Sequence, residues 1–179
     1  MSTKSANMEQ RKTWYAIYTK PRWEKKVYQS LLEKELEAYC PLNKVTRRWS
    51  DRMKTVEEPL FKSYVFVRVG EEEQTRVRMT NGVVNFVYWL GKPAMVKDSE
   101  IEIIRKFLNE YDNVLAEPLD LRPESRVLVR QGIFMDKEAT VIKVQGNKVR
   151  VVIESIGYSL VALVDKKNLA LKRVDGLKG

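Results

Sequence analysis

The sequence predicts an α+β protein in two parts, an αβ sandwich domain over residues 13–110 and a small β-barrel over residues 124–174. Three observations lead to that prediction. Strand-like and helix-like apolar patterns alternate from Trp14 to Leu108, as they do where helices cover a sheet. The periodicity then fails between Glu110 and Glu124, where Pro118 and Pro123 stand in a mixed acidic stretch, so residues 111–123 read as a linker. Beyond it the character is purely β, with short runs of Val, Ile and Leu at hairpin intervals, which suits a small barrel.

Taken in order, residues 1–12 are polar and charged and are expected to form a disordered, solvated tail. Trp14-Tyr-Ala-Ile-Tyr18 is rich in strand formers. Pro21 fits the first residue of a helix, and Trp23, Val27 and Leu31 follow at spacing four, so an amphipathic helix is expected from Pro21 to about Glu37. Tyr39 to Thr46 reads as extended, and Arg47 to Lys54 as a polar hairpin tip, because turn residues lie at its centre. Tyr64-Val-Phe-Val-Arg-Val69 suits a central strand, with Tyr64, Phe66 and Arg68 on one face and Val65, Val67 and Val69 on the other. Glu71, Glu72 and Glu73 stand where a helix dipole favours acids, at the start of a second helix that Gly82 ends. Val83 to Trp89 is the next strand. Ser99 and Glu102 have capping-box spacing before a third helix, whose inner face is Ile101, Ile104 and Leu108. In the C-terminal part the expected strands are Arg126–Arg130, Ala139–Val144, Lys148–Ile153 and Tyr158–Val164, with a tight turn at Gly146-Asn147.

Residue usage narrows the function. The chain of 179 residues has one cysteine, Cys40, and no histidine. A His general base, a Ser-His-Asp or Cys-His nucleophile and a His/Cys zinc cage are therefore excluded. The helix-start position of Glu71–Glu73 accounts for them without a metal, so no catalytic residue, metal or cofactor is assigned. Cys40, between Tyr39 and Pro41, reads as a buried, inert thiol. Lys and Arg number 33 against 24 Asp and Glu, a net charge of +9 that favours a polyanionic partner, nucleic acid being the commonest. No apolar stretch approaches the ~20 residues of a membrane helix. The first residues lack the apolar core of a signal peptide. A cytoplasmic protein with no membrane partner is expected.

Several segments carry a family resemblance. Trp14-Tyr15, the basic Lys20-Pro-Arg-Trp-Glu-Lys-Lys26, Glu58-Pro-Leu-Phe-Lys-Ser-Tyr-Val-Phe-Val67 and Asn81-Gly-Val-Val-Asn-Phe-Val87 look like the N-terminal domain of NusG proteins. Val127-Leu-Val-Arg-Gln-Gly-Ile-Phe-Met-Asp-Lys-Glu-Ala-Thr-Val141 resembles the SH3-like KOW barrel that follows it in that family. The two modules stand in family order. Departures point to a specialised paralogue: Phe61-Lys62-Ser63-Tyr64 where the family has Phe-Pro-Gly-Tyr or Phe-Pro-Asn-Tyr, Ala139 where KOW segments carry glycine, and Ile156-Gly157-Tyr158 where Phe-Gly-Arg is usual. Cys40-Pro41 and Glu58-Pro59-Leu60-Phe61 are similar to the RfaH type, and the chain also resembles the UpxY capsular-polysaccharide antiterminators. The resemblance implies a monomeric elongation and antitermination factor that binds RNA polymerase and reduces pausing or termination at particular operons, such as polysaccharide synthesis clusters. A housekeeping NusG and a ribosome-associated KOW RNA-binding protein remain the alternatives.

By the same resemblance, Phe61, Tyr64, Phe66, Trp89 and Ile101 line a cavity for the clamp helices of the largest polymerase subunit. Read from the residues alone, all five also fit an ordinary core. Lys20, Arg22, Lys25 and Lys26, with Thr80 and Asn81, match the region that touches the non-template DNA strand. Cations at a helix start oppose the dipole by roughly 0.3–1 kcal/mol each, which suits a phosphate site, although a solvated charged face is the plainer alternative. Trp23 fits either a base-stacking platform or the core beside Val27. The hairpin tip around Trp49, with Arg47, Arg48, Arg52 and Lys54, fits a nucleic-acid contact or a solubilising charge cluster equally. Ile156, Gly157 and Tyr158 match the loop through which NusG-like barrels bind ribosomal protein S-ten or Rho. Val, Ile and Thr dominate residues 139–153 and favour strands over the helical hairpin that the RfaH C-terminal domain can adopt.

Overall fold

The computed structural model describes residues 11–119, 142–145 and 148–163. In chain order the elements begin β1 (Thr13–Thr19), α1 (Glu24–Glu33), β2 (Glu37–Tyr39), β3 (Leu42–Trp49), β4 (Arg52–Pro59) and β5 (Tyr64–Val69). A 3₁₀ turn (Glu71–Glu73) and α2 (Gln74–Arg78) follow, then β6 (Val83–Phe86), β7 (Tyr88–Trp89), β8 (Lys92–Pro93), β9 (Met95–Val96) and α3 (Asp98–Glu110). β10 (Leu115–Pro118), β11 (Ile142–Gln145), β12 (Lys148–Ile153) and β13 (Tyr158–Leu163) complete the set. The chain divides into two units, one made of the segments up to Leu42 and from Pro59 to Glu102, the other of Asn43–Glu58 and the chain from Ile103.

The first unit is built on an antiparallel sheet in the order β2-β5-β1-β6, with β9 also paired to β1. Alternation along the strands sorts its side chains into two faces. Tyr15 lies opposite Val67, and Ile17 opposite both Val65 and Phe86. This face packs with Val27 and Leu31, one turn apart on α1, and with Leu36, Cys40 and Val77 in one buried cluster. Burying each such aliphatic side chain contributes about 1.5–3 kcal/mol. The other face carries the pairs Trp14–Arg68, Ala16–Phe66 and Tyr18–Tyr64, extended by Glu37 and Tyr39 from β2 and Val96 from β9.

Several expected boundaries move, each for a local reason. α1 starts at Glu24 rather than Pro21, because Lys20–Trp23 closes a β-turn: the Trp23 N–H donates to the Lys20 carbonyl at 3.1 Å. Pro21 at the second position and Arg22 at φ +67° give it the pattern of a type II turn. α1 ends at Glu33 instead of Glu37 in a Schellman motif. Leu36 N–H donates to Leu31 O at 3.0 Å and Glu35 N–H to Leu32 O at 2.9 Å, with Glu35 at φ +60°. The acids at 71–73 form the 3₁₀ turn, and the helix after it is only five residues long.

The single strand expected at 83–89 is broken at Val87, whose N–H donates to Ala16 O and whose carbonyl accepts from Ala94 N–H. Tyr88 and Trp89 instead pair with Pro93 and Lys92, around Leu90 and Gly91 at positive φ, the dihedral signature of a two-residue hairpin turn. In α3 the Lys97 carbonyl accepts from Glu100 and Ile101, which places Ser99 inside the helix and leaves the capping box unformed. Ile101, Ile104 and Phe107 are its buried apolar residues, and Leu108 is only half-buried.

In the second unit β3 and β4 pair as a hairpin joined by Ser50-Asp51. Its base is held by a reciprocal amide pair that the sequence did not advertise. Buried Asn43 donates to Val114 O at 2.8 Å and accepts from Val114 N–H at 3.0 Å. Asn113 N–H donates to Lys44 O at 2.7 Å, and the Asn113 side chain accepts from Thr46 N–H at 2.9 Å. Further along, β10-β13-β12-β11 make a second antiparallel sheet. Leu115–Pro118, inside the stretch read as linker, is therefore a strand. The expected strand Arg126–Arg130, residues 139–141 of the next and the Gly146-Asn147 turn lie outside the described residues.

Candidate functional site

The basic turn and the loop after α2 form one surface patch in the first unit. Lys20 N–H donates to the Gly82 carbonyl at 2.9 Å, tying the turn to the loop. Gly82, at φ +92°, leaves room for the Trp23 ring: a Cβ built there would lie 2.6 Å from Trp23 Cε3 and 2.8 Å from Val27 Cγ2. Trp23 is thus a packed, half-buried wedge. Lys20 Nζ and Lys26 Nζ lie 5.4 and 4.9 Å from its ring centroid, within cation–π range. Lys20, Arg22, Lys25, Lys26 and Asn81 are exposed on this patch.

The one acid among them turns inward. Glu24 is buried, and its carboxylate accepts from Ser63 N–H at 2.8 Å, so the outward surface is cationic. Thr80 lies on the inner side of this loop. It is 2% exposed, and its hydroxyl accepts from Lys34 Nζ at 3.0 Å and donates to Arg76 O at 2.9 Å. Its side chain anchors the loop from beneath, leaving Asn81 as the outward residue.

The residues of the aromatic face differ in exposure. Phe61, Phe66 and Ile101 are buried, and Tyr64 is half-buried. Phe66 packs edge-on to Phe61 at 5.8 Å and stacks with Tyr39 at 6.4 Å. Of Trp89 only the backbone, in β7, lies within the described residues. The Tyr18–Tyr64 pair lies on this face, with ring centroids 5.0 Å apart and Tyr18 exposed. Tyr18 was missed by motif matching, although its alternation with Trp14 and Ala16 places it on this face.

In the second unit Ile156 ends a 3₁₀ turn, Gly157 takes the left-handed conformation at φ +68°, and Tyr158 opens β13, all three half-buried. Trp49 at the hairpin tip is 55% exposed, with Lys54 Nζ 5.2 Å from its ring, while Arg47 is ion-paired to Glu58. Among the described residues no group of His, Cys, Asp or Glu is arranged to hold a metal, and no helix is long and apolar enough to cross a membrane. Cys40 is buried, and burial, reinforced by the charge of Glu24, pushes its thiol up to about 11. A thiol so far above neutral pH supplies almost no thiolate.

A family model for the transcription termination factor NusG matches residues 12–105, which include the whole turn, loop and aromatic face. The chain belongs to the NusG family. It is 27% identical over 173 residues to the transcription termination/antitermination protein NusG of Streptococcus pyogenes serotype M3, covering 89% of this chain and 96% of the relative. With the NusG of Lactococcus lactis the identity is 30% over 162 residues, covering 80% and 84%. The solved structure "Domain interaction in Thermotoga maritima NusG" overlaps 87% of this chain and 95% of its own at a TM-score of 0.48 and 21% identity, too loose an overlap to add to the assignment.

Family membership also gives the Phe61-Lys62-Ser63-Tyr64 departure a physical meaning. Ser63 sits at φ +64°, held by Glu24 on its N–H and by Thr19, whose N–H donates to the Ser63 carbonyl at 2.9 Å. Left-handed backbone suits glycine and, next, asparagine, the residues the NusG pattern places there. Ser63→Gly is expected to raise stability by about 1 kcal/mol, read as a higher melting temperature. An unchanged or lower melting point would mean that serine meets no strain at this position.

Proposed function

We propose that this chain is a non-enzymatic transcription elongation and antitermination factor of the specialised RfaH or UpxY type, acting at particular operons. In this reading the N-terminal domain, residues 13–110, docks on the clamp helices of the largest RNA polymerase subunit through the aromatic face. Lys20, Arg22, Lys25, Lys26 and Asn81 meet the phosphates of the exposed non-template strand. The Ile156-Gly157-Tyr158 loop of the C-terminal barrel, residues 124–174, engages a second protein such as ribosomal protein S-ten. The departures at Ser63, Ala139 and Tyr158 from the general pattern, with the likeness at Cys40-Pro41, favour the specialised type over a housekeeping NusG.

The observation that supports the nucleic-acid part is the union of the basic turn with the Asn81-Gly82 loop by the Lys20–Gly82 hydrogen bond, with Glu24 withdrawn inward. Fixed cations on a rigid turn meet phosphates with little ordering cost, and each contact releases counterions. Replacing Lys20, Arg22 and Lys26 with Gln is expected to weaken binding to elongation complexes that expose the non-template strand. Three lost single-strand contacts lower the salt slope by about 2, so between roughly 50 and 200 mM salt the wild type loses about twentyfold more affinity than the variant. Stability changes by less than about 1 kcal/mol, since two exposed cation–π contacts are lost while a cation leaves the positive end of α1. Equal binding of variant and wild type at low salt would remove the nucleic-acid role from these residues. Capture of ribosomal proteins in place of polymerase subunits would favour the ribosome-associated alternative.

A further inference from the structure

We propose that the edge of β13 opposite β12 is an acceptor site for an extended strand, and that β10 is its resident, displaceable occupant. Among the described residues β10 is an outer strand of the second sheet, and it pairs with β13 over only four residues, Leu115 with Val161 through Pro118 with Tyr158. The chain continues onto the loop, where Leu119 N–H donates to the Gly157 carbonyl at 2.8 Å. The segment 115–119 thus occupies the Gly157 carbonyl, a backbone group that a partner of this loop would use.

The hold is weak compared with the sheet beneath it. Leu115 is 60% exposed, and Glu117 meets Arg150 at 3.3 Å with both side chains more than a third exposed, a kind of ion pair that contributes little. By contrast β12 and β13 pair over six residues, with Val151, Ile153 and Leu160 fully buried. Alternation fixes the ladder donors. Since Leu119 directs its N–H to β13, Glu117 and Leu115 do so too, and the missing N–H of Pro118 faces away.

The resident strand also defines its replacement. A partner adds an antiparallel strand in the manner of β-augmentation. It has a small residue opposite Leu160, where Ala116 now lies, and a carboxylate where Glu117 now lies. Arg150 is already aimed to receive it, its guanidinium donating to buried Ser159 Oγ at 3.1 Å. The inference rests on the reading that the 156–158 loop receives a partner protein, but it is tested without one, so either can fail alone.

The test uses the full chain and a synthetic peptide reproducing residues 113–119. The double variant Leu115→Pro/Glu117→Pro, which removes both ladder donors, should bind this peptide at least tenfold more tightly than wild type does. A peptide with Gln in place of Glu should bind the variant several-fold more weakly. Amide exchange on the unaltered chain gives an answer independent of how the variant folds. The Leu115 and Glu117 amides should exchange at least a hundredfold faster than those of Val151 and Leu160. Equal peptide binding by the two proteins, no binding by a folded variant, or exchange of all four amides together would each overturn the proposal.

Discussion

Gly82→Ala is expected to destabilise the first unit by about 2–4 kcal/mol and, if the basic patch meets nucleic acid as proposed, to weaken that binding with it. The added methyl would lie 2.6 Å from Trp23 Cε3 and 2.8 Å from Val27 Cγ2, far inside van der Waals contact. Neither neighbour yields easily: Val27 is fully buried, and Trp23 is wedged between the loop and α1. The backbone at φ +92° adds its own cost, because an L side chain is strained there. Relief requires the indole to swing out, carrying Lys20 and Lys26 off its faces. Denaturant unfolding measures the first effect, and binding to complexes with an exposed non-template strand the second. If the variant melts with the wild type, Trp23 is not seated on Gly82, and the patch is not one rigid unit.

The second large effect separates two rings on one strand. Phe66→Ala is expected to cost about 3–5 kcal/mol, the usual result of emptying a buried aromatic site. Phe66 is fully buried between the rings of Phe61 and Tyr39. Tyr64→Ala, two residues away on the same face and only half-buried, should cost less, about 0.5–1.5 kcal/mol for its contact with Tyr18 beyond the area it buries. If the Tyr18–Tyr64 pair is the docking surface, the Tyr64 variant instead loses binding to polymerase clamp helices while remaining folded. Phe66→Ala that stays as stable as wild type would show the face to be open after all. Tyr64→Ala that binds normally would leave docking to other residues.

The sheet and its two faces were legible because Tyr64–Val69 and Trp14–Tyr18 alternate cleanly and each strand states its own pattern. The spacing of Val27 and Leu31 likewise gave the buried side of α1. Boundaries failed where one residue type fits two local structures. Pro21 suits a helix start and the second position of a turn equally, and the positive φ of Arg22 decides between them. At the site, the basic residues were legible from charge, but their union with Asn81 and Gly82 was not, since it depends on a backbone bond across sixty-two residues of chain (82 − 20). That Thr80 is buried beside exposed Asn81 was not legible either, because sequence adjacency says nothing about which side of a loop faces out. The Asn43–Val114 amide pair spans seventy-one residues and has no periodic signature. β10 was hidden by Pro118, which normally argues against a strand but is tolerated on an outer one.

The direction of Pro118 has a further consequence for solubility. An outer strand presents unpaired backbone donors to any other extended chain, and long exposed edges of this kind invite runaway self-association. On β10 the outward ladder position at Pro118 has no donor to offer, and the strand ends there after four residues. Beneath it β13 is the opposite kind of template, six residues long and apolar, with Ser159, Leu160, Val161 and Ala162 buried. β10 therefore acts as a gatekeeper as well as an occupant. On the proposed reading, a chain whose β10 is removed or altered is expected to self-associate more as its concentration rises, read by light scattering, and the 113–119 peptide is expected to suppress that association.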